Sequence, residues 1–233
     1  SSDLVNQLTP STNGQLNLAG SLSTVLDLTV NQPLVLLGDT TIDTGGNLTL
    51  NNVVDGGFNL VLNSLGITAL NGAIGSSTPL AGLVTNLGGT TQLRGNLTTA
   101  NGNVSFNDDV VLTADSTLTT GTGNLTFAGL IDGGFNLILN SGGLTDLLGA
   151  IGSTLALASF TTNGGGTTQV RRNISTNNGA ITLTDPVLLT GDVTLSAGSG
   201  TISLESLVDG AYALSLNSTG LTDVKGARSE EHT

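Results

Sequence analysis

The sequence lacks cysteine, methionine and tryptophan, and it has few aromatic or charged residues. Of its 233 residues, 3% are aromatic and 9% are charged, against roughly 25% charged residues in an average soluble domain. Without cysteine, and with a single histidine at position 232, the chain cannot assemble a zinc, haem or iron–sulfur site from those ligands. The same shortage excludes a cysteine nucleophile and makes any histidine-dependent triad rely on that one residue.

Basic residues are also scarce. Five Lys and Arg stand against 17 Asp and Glu, which gives a net charge of −12. Binding of nucleic acid requires clustered cations that neutralise phosphates, so we expect no nucleic-acid partner. No apolar run approaches the roughly 18 residues of a membrane-spanning helix. The chain begins Ser1-Ser2-Asp3 without an initiator methionine or a basic-plus-apolar leader, and we interpret it as a fragment of a longer protein.

Glycine and small polar residues are abundant. The chain has 34 Gly and 23 Asn, yet its mean hydropathy is +0.25 because its apolar residues are almost all aliphatic. A disordered polar chain would be poor in aliphatic residues and rich in charge. The composition therefore favours a folded chain with many turns and an aliphatic core.

An internal repeat organises the sequence. The segment 55–60, Asp-Gly-Gly-Phe-Asn-Leu, recurs at 132–137 and, in degraded form, at 209–214. A gapless alignment of two successive copies gives 40 identities in 77 positions. The repeat divides the chain into a partial copy, two full copies, a second partial copy and a non-repeat tail: 1–52, 53–129, 130–206, 207–227 and 228–233.

Within each copy, short segments alternate apolar residues with Thr, Ser or Asn, and Gly-Gly, Asn-Gly or Asp-Gly pairs separate them. This pattern predicts half-buried strands joined by tight turns. We predict an all-β fold, a single-stranded β-solenoid of the right-handed parallel β-helix type with about 19 residues per coil. Each repeat would then form about four coils, and the chain about twelve coils, roughly 55–60 Å long. The alternative is a string of β-sandwich domains, which usually carry longer strands and a Trp or Tyr anchor.

The repeat also predicts which residues face the interior and which share a face. If one repeat were a whole number of coils, Phe58, Phe135 and Tyr212 would lie on one line along the axis, and Arg94 and Arg171 would share a face. The apolar residues of the alternating segments should point inward: Leu60, Leu62, Val104, Phe106, Leu125, Phe127, Leu137, Leu139, Ile181, Leu183, Val193, Leu195, Ile202, Leu204 and Leu214.

The residue pattern of the repeat resembles the repeats of a group of bacterial surface proteins. Gly-Ala-Ile-Gly-Ser at 72–76 and 149–153, followed by Gly-Gly-Thr-Thr-Gln at 88–92 and 165–169, is similar to the giant "beta strand repeat-containing" proteins, relatives of filamentous-haemagglutinin-type adhesins. The resemblance covers residues 1–227. It implies secretion, a long fibrous stalk and a role in adhesion or cell-surface structure. It carries over no catalytic residue.

The last six residues break the repeat. After Ala227 the register predicts a continuation such as Ile-Gly-Ser, but the chain reads Arg-Ser-Glu-Glu-His-Thr over 228–233. This hexapeptide is what a common sequencing-library adapter encodes when it is read as protein, so we interpret it as an assembly artefact. The alternative is a natural polar tail. If the artefact interpretation holds, the single histidine is not native.

Several polar positions could carry chemistry, but we interpret each as structural. Asp108-Asp109 could be an acid pair or a cation site, but adjacent residues on a strand point to opposite sides, and we interpret the pair as a polar turn before Val110. The Thr pairs 90–91 and 167–168 suggest an ice-binding face, although their positions shift between coils. Asp before Gly-Gly could supply calcium ligands, but we interpret it as turn chemistry. The structural turn positions are Asp55, Gly56, Gly57, Asp132, Gly133, Gly134, Asp209 and Gly210.

The sequence therefore predicts a structural stalk or spacer segment of a secreted bacterial adhesin or cell-surface fibre, located outside the cell or on its surface. We expect no enzyme activity, no catalytic residue, no metal ligand and no cofactor. The expected partners are neighbouring repeats of the same longer chain and, through parts not present, cell-surface glycans or host surfaces. The alternatives are a polysaccharide-acting β-helix enzyme, or a solenoid face that binds glycan, cation or ice.

Overall fold

The solenoid predicted from the sequence is confirmed in a computed structural model, which describes residues 9–10, 14–86 and 88–226. The tail 228–233 lies outside the described residues. All regular secondary structure described is β-strand, and parallel coils stack into a β-solenoid of the right-handed type with about ten coils. Strands that are neighbours in a sheet come from successive coils, so the alternative of separate sandwich domains is wrong.

Each coil has three sides, which form three faces of the solenoid, here called faces I, II and III. Two long strands, β2 (Leu16–Thr24) and β4 (Leu34–Thr44), turn a corner and belong first to face I and then to face II. At the N-terminal edge, β1 (Thr9–Pro10) pairs antiparallel with the start of β2. Isolated bridges at Ile74 and Ile151 complete faces I and III.

The remaining strands follow one another through the three faces in order. Face I continues with β6 (Val54–Asp55), β11 (Leu97–Thr98), β14 (Ser116–Gly121), β17 (Asn136–Ser141), β19 (Ser159–Asn163), β22 (Ile181–Leu183), β25 (Ile202–Leu204) and β28 (Thr222–Val224). Face II continues with β7 (Asn59–Ser64), β9 (Gly82–Thr85), β12 (Val104–Phe106), β15 (Leu125–Phe127), β18 (Leu144–Leu147), β20 (Thr167–Val170), β23 (Val187–Leu189) and β26 (Val208–Asp209). Face III consists of β3 (Leu28–Val30), β5 (Leu48–Leu50), β8 (Ile67–Leu70), β10 (Thr90–Leu93), β13 (Asp109–Leu112), β16 (Ile131–Asp132), β21 (Ile174–Ser175), β24 (Val193–Gly198) and β27 (Leu214–Ser218).

The coils are longer than the sequence pattern predicts. Paired residues in successive coils are roughly 21 apart, and the spacing is larger still between Leu60 and Leu83. The longer coils contain the loops that follow Ile74 and Ile151. The predicted coil was too short because each of three sides needs about seven residues for its strand and corner. With about ten coils and a spacing of about 4.8 Å, the stack is about 48 Å long rather than 55–60 Å.

The sequence repeat, predicted to form about four coils, is not a whole number of coils. Val54 lies on face I, and three coils of stacking lead from it to Leu118 on the same face. Its repeat equivalent Ile131 lies two sides further on, on face III, and the next equivalent, Val208, lies on face II. One repeat therefore spans three and two-thirds coils, or eleven sides, and each copy starts on a different face.

The predicted line of aromatic residues is wrong for the same reason. Phe58 lies between β6 and β7 at the corner of faces I and II, whereas Phe135 lies between β16 and β17 at the corner of faces III and I. Tyr212 lies at the third corner, between β26 and β27. Likewise Arg94 follows a strand of face III, and Arg171 follows a strand of face II. Three copies, or eleven coils, are needed before a position returns to its original face.

The core is a set of aliphatic ladders along the inside of the three faces. The inward positions predicted from alternation are buried, with the exception of Leu214, which is half-buried and packs against the core in the last coil. Phe106 and Phe127 stack in successive coils of face II, with ring centroids 5.0 Å apart and planes 13° apart. Such stacked aromatic pairs add to the stabilisation that comes from burial alone.

Candidate functional site

The Asp-Gly-Gly motif joins one coil to the next at a corner. The Asp55 Oδ1 atom accepts hydrogen bonds from the backbone N–H groups of residues 77–78, at 2.9 and 3.2 Å. The Asp132 Oδ1 atom accepts the equivalent bonds from residues 154–155, at 2.9 and 3.1 Å. In the third copy the Asp209 side chain accepts from the N–H of the glycine that follows it, at 2.7 Å. These carboxylates satisfy backbone donors that would otherwise lack a partner.

The first glycine of the motif is required by the backbone. Its φ is +128° at Gly56, +123° at Gly133 and +112° at Gly210, a region that L-residues rarely adopt. A Cβ at Gly133 would also lie 2.5 Å from the carbonyl oxygen of Leu112 in the coil below. The second glycine has open space around it in both full copies, at Gly57 and Gly134.

The three repeated aspartates do not form a file of calcium ligands. Asp55, Asp132 and Asp209 lie on faces I, III and II respectively. Across the described ranges, no group of three or more His, Cys, Asp or Glu side chains comes together to hold a metal ion. Calcium prefers six to eight oxygen ligands, so a single carboxylate at each corner supplies too few.

The adjacent carboxylates Asp108 and Asp109 point to opposite sides of the wall. Asp108 is 5% exposed, and it accepts hydrogen bonds from the hydroxyl groups of Thr85 (2.7 Å) and Thr91 (2.8 Å) in the coil below. Burial raises the pKa of the Asp108 carboxyl, and the two threonine hydrogen bonds partly oppose that rise. Asp109 lies on the outside, so the two carboxylates cannot act together on one bond.

The equivalent internal cluster in the next copy is arranged differently. Asp185, Thr162 and Thr168 stand one repeat after Asp108 and its two threonines, and all three are buried. The Asp185 Oδ1 atom accepts the N–H of Gly165 at 2.9 Å. Its Oδ2 atom and both threonine hydroxyls have no hydrogen-bond partner among the described residues. Burial raises the pKa of Asp185, and the bond from Gly165 opposes the rise.

Most other acidic and amide side chains at the corners bind the coil above. Three asparagines form a ladder: the Asn51 Nδ2 donates to the Asn31 Oδ1 at 2.7 Å, and the Asn71 Nδ2 donates to the Asn51 Oδ1 at 2.8 Å. The Asp115 carboxylate accepts from the backbone and side chain of Asn136, both at 2.9 Å. The backbone bond, and then the side-chain bond, lower the pKa of Asp115. Corner side chains here accept backbone N–H bonds, a role that Asp and Asn oxygens can take and that Lys and Arg cannot.

The basic residues form no cluster within the described part of the chain. Lys225 pairs with Glu205 at 2.6 Å and lies 3.5 Å from Asp223, all near the end of the described stack. Exposed pairs of this kind contribute little to stability. The two repeat-equivalent arginines lie at different corners, as described above, so they do not form a ladder along one face.

The threonine pairs do not present a flat row of hydroxyls. In each pair one residue points into the core and the other outward: Thr91, Thr99, Thr120 and Thr168 are buried, whereas Thr90, Thr98, Thr119 and Thr167 are partly exposed. Three of the inward threonines donate to backbone or carboxylate oxygens, as in the bond from Thr120 to the Gly123 carbonyl at 2.7 Å. The exception is Thr168, whose hydroxyl has no partner among the described residues. Only one threonine of each pair therefore faces outward.

Sequence reasoning missed the buried Asp–Thr cluster because it treated Asp108-Asp109 as a polar turn. The signal that could have found it is the recurrence of Thr85, Thr91 and Asp108 with the same spacing one repeat later. A polar residue that recurs in step with core positions is a candidate for the interior, where it needs hydrogen-bond partners.

The described residues contain no helix long and apolar enough to span a membrane. Comparisons of the chain with family models, with curated proteins and with solved structures found no match.

Proposed function

We propose that this chain is a segment of a structural stalk, a spacer in a secreted bacterial adhesin or cell-surface fibre. The supporting observation is the parallel stack that runs from Leu16 to Val224 on three faces. In such a stack each coil contacts only its neighbours, so length scales with the number of repeats. The resemblance of the repeat to adhesin arrays gives this rod its proposed place outside the cell.

The use of the polar corner groups also supports a spacer. One carboxylate oxygen accepts a backbone N–H of the coil above at each of three corner residues, Asp55, Asp115 and Asp132. A catalytic centre needs convergent groups at one coil, and Asp108 and Asp109 diverge. We therefore propose no enzyme activity. The proposed partners are adjacent repeats of the same chain, with contacts to glycans or host surfaces made by other parts of the protein.

The length of the rod tests this proposal. Variants with one or two additional copies of residues 130–206 should lengthen by about 18 Å per copy, because one repeat spans three and two-thirds coils at about 4.8 Å each. Small-angle X-ray scattering would measure the increment. Copies that fold as separate bodies on flexible links, or that add no fixed length, would contradict the stalk.

The competing functions require a separate experiment. The chain should bind no member of an array of bacterial and host glycans, and it should release no sugar from polysaccharide substrates. A solution of the chain should also show no thermal hysteresis, which is the measurement that tests binding to ice. Specific binding to one glycan, or turnover of a polysaccharide, would favour a binding or catalytic solenoid instead.

A further inference from the structure

A groove of about 330 Å³ lies on the outside of face III, where β13 and β16 meet the loop after Ile151. Its apolar walls include Val111, Leu130 and Leu155. Leu155 is 58% exposed, although it is a large aliphatic residue. Two carboxylates, Asp109 and Asp132, lie in the same groove.

Hydrogen bonds to the backbone hold both carboxylates in place. The Asp109 Oδ1 atom accepts the N–H of Leu130 at 2.7 Å, and the Asp132 Oδ1 atom accepts the N–H of Leu155 at 3.1 Å. The Oδ2 atom of each makes no hydrogen bond within the described part of the chain. Each carboxylate therefore keeps one oxygen for a ligand without losing its structural bond.

The groove has negative charge, and neither of its carboxylates forms an ion pair among the described residues. Among the described residues, the ion pairs involve only Lys225, which lies at the far end of the stack. The net charge of −12 attracts basic partners over a longer range. A complementary ligand would have an aliphatic stem for the apolar wall and a cationic head for the carboxylates, as arginine and lysine side chains do. Arginine fits better because its planar guanidinium can donate to two carboxylates at once.

The residues that form the groove are not all kept in the neighbouring copies, although the sequence around it repeats. One copy earlier, Thr78 stands in place of Leu155, and one copy later Pro186 stands in place of Asp109. The neighbouring copies thus lack either the exposed apolar wall or the second carboxylate. Similar repeats are enough to form the rod, whereas a binding site at one defined position requires that the copies differ there.

We propose that this groove binds an arginine side chain of a basic partner polypeptide, with the stem against Val111 and Leu155 and the guanidinium between Asp109 and Asp132. This contact goes beyond the stalk role and does not depend on it. A rod that carries such a groove would attach a basic protein at a defined point along its length.

The test is an NMR titration of the ¹⁵N-labelled chain with the peptide acetyl-Gly-Arg-Gly-amide. The matched control peptide carries citrulline, which keeps the stem and loses the charge. Shift changes should concentrate at the amides of Leu130, Thr154 and Leu155, which bond to the two carboxylates, and should be absent with citrulline. Equal shifts at all corner aspartates would show diffuse attraction only and would overturn the proposal.

Three variants separate the groove from general electrostatics. Asp109→Asn keeps an oxygen for the N–H of Leu130 and should weaken binding roughly fivefold, the effect of losing one exposed ion pair. Leu155→Thr, which installs the residue found at position 78, should weaken it severalfold through the lost apolar wall. Asp192→Asn removes the same charge from a corner where Oδ1 accepts the Ala213 N–H at 2.9 Å, and it should leave binding unchanged. A loss of affinity in Asp192→Asn equal to that in Asp109→Asn would refute the site.

Discussion

Phe58 and Phe135 occupy the same position in two copies of the repeat, but they lie at different corners of the solenoid. Their local hydrogen bonds are nevertheless equivalent. The N–H of Phe58 donates to the carbonyl of Gly56 at 2.8 Å, and the N–H of Phe135 donates to the carbonyl of Gly133 at 2.9 Å. The corner geometry therefore follows from the local sequence, because it is the same at two different corners of the solenoid.

Deleting residues 130–206 should leave a folded, shorter rod, although this full repeat is not a whole number of coils. Val208 now stacks on Val187; after the deletion it would stack on Val110, the repeat equivalent of Val187. Each coil beyond the cut would thus meet a neighbour of nearly the same sequence, rotated by one face. Circular dichroism and thermal unfolding should show a cooperative β fold.

A short deletion is the control for that experiment. Removing residues 136–145 takes out all of β17 and the start of β18, so the following segment would have to form a side for which its inward residues are misplaced. This variant should unfold or aggregate. If the full-repeat deletion behaves in the same way, the three faces are not equivalent.

Gly133→Ala should destabilise the fold by at least about 2 kcal/mol. The substitution combines a φ of +123° with a Cβ only 2.5 Å from the Leu112 carbonyl oxygen, and strained backbone positions alone contribute about 1–3 kcal/mol. Gly134→Ala is the matched control, since its Cβ would meet open space, and it should be neutral or slightly stabilising. Chemical denaturation would measure both, and equal effects would contradict this account of the corner.

Phe106→Ala should lower the free energy of unfolding by about 3–5 kcal/mol, because it opens a cavity beside Phe127 in the packed interior. Phe135→Ala, at a position that is 37% exposed, should lower it by about 1 kcal/mol or less. Urea denaturation of the two variants provides the comparison. A similar loss in both would mean that the corner aromatics contribute to the core as much as the internal stack does.

Asp108→Asn should change how stability depends on pH. The folded-state pKa of Asp108 is raised above 3.8, so as pH rises the unfolded chain releases this proton before the folded chain does. Ionisation of Asp108 therefore lowers the free energy of unfolding between pH 3.8 and the raised value. The asparagine variant lacks this loss and should gain stability relative to the parent across that range.

Asp115→Asn should show the opposite sign. The folded-state pKa of Asp115 is lowered, so its contribution is present above pH 3.8 and is lost as pH falls through the folded-state pKa. The variant should be less stable than the parent at neutral pH, and the difference should vanish in acid. Denaturation curves between pH 2 and 7 would test both variants, and parallel pH profiles would contradict the assigned environments.

The sequence alone determined the fold class and most of the core. Alternation of apolar and small polar residues identified which positions point inward, such as Leu60 and Ile181, because side chains on a strand alternate between its two sides. The Asp-Gly pairs marked the corners, because only glycine tolerates the backbone conformation found there. Both properties are local, so a single stretch of sequence is enough to read them.

The length of each coil, and hence the face on which each copy begins, was decided only by the tertiary structure. Coils of unequal length pack on one another in the same stack, as the spacing from Leu48 to Thr68 and the longer spacing from Leu60 to Leu83 show. This is possible because the stacking of a strand depends on its neighbours in space and not on a fixed count along the chain.

The same reason explains why the internal Asp–Thr cluster and the groove were not predicted from the sequence. The partners of Asp108 are Thr85 and Thr91, which belong to the coil below, and the groove joins Asp109 to Leu155 across coils. Each of these relationships joins residues of different coils. Coil length, which sets which residues meet, is a property of the closed three-sided stack.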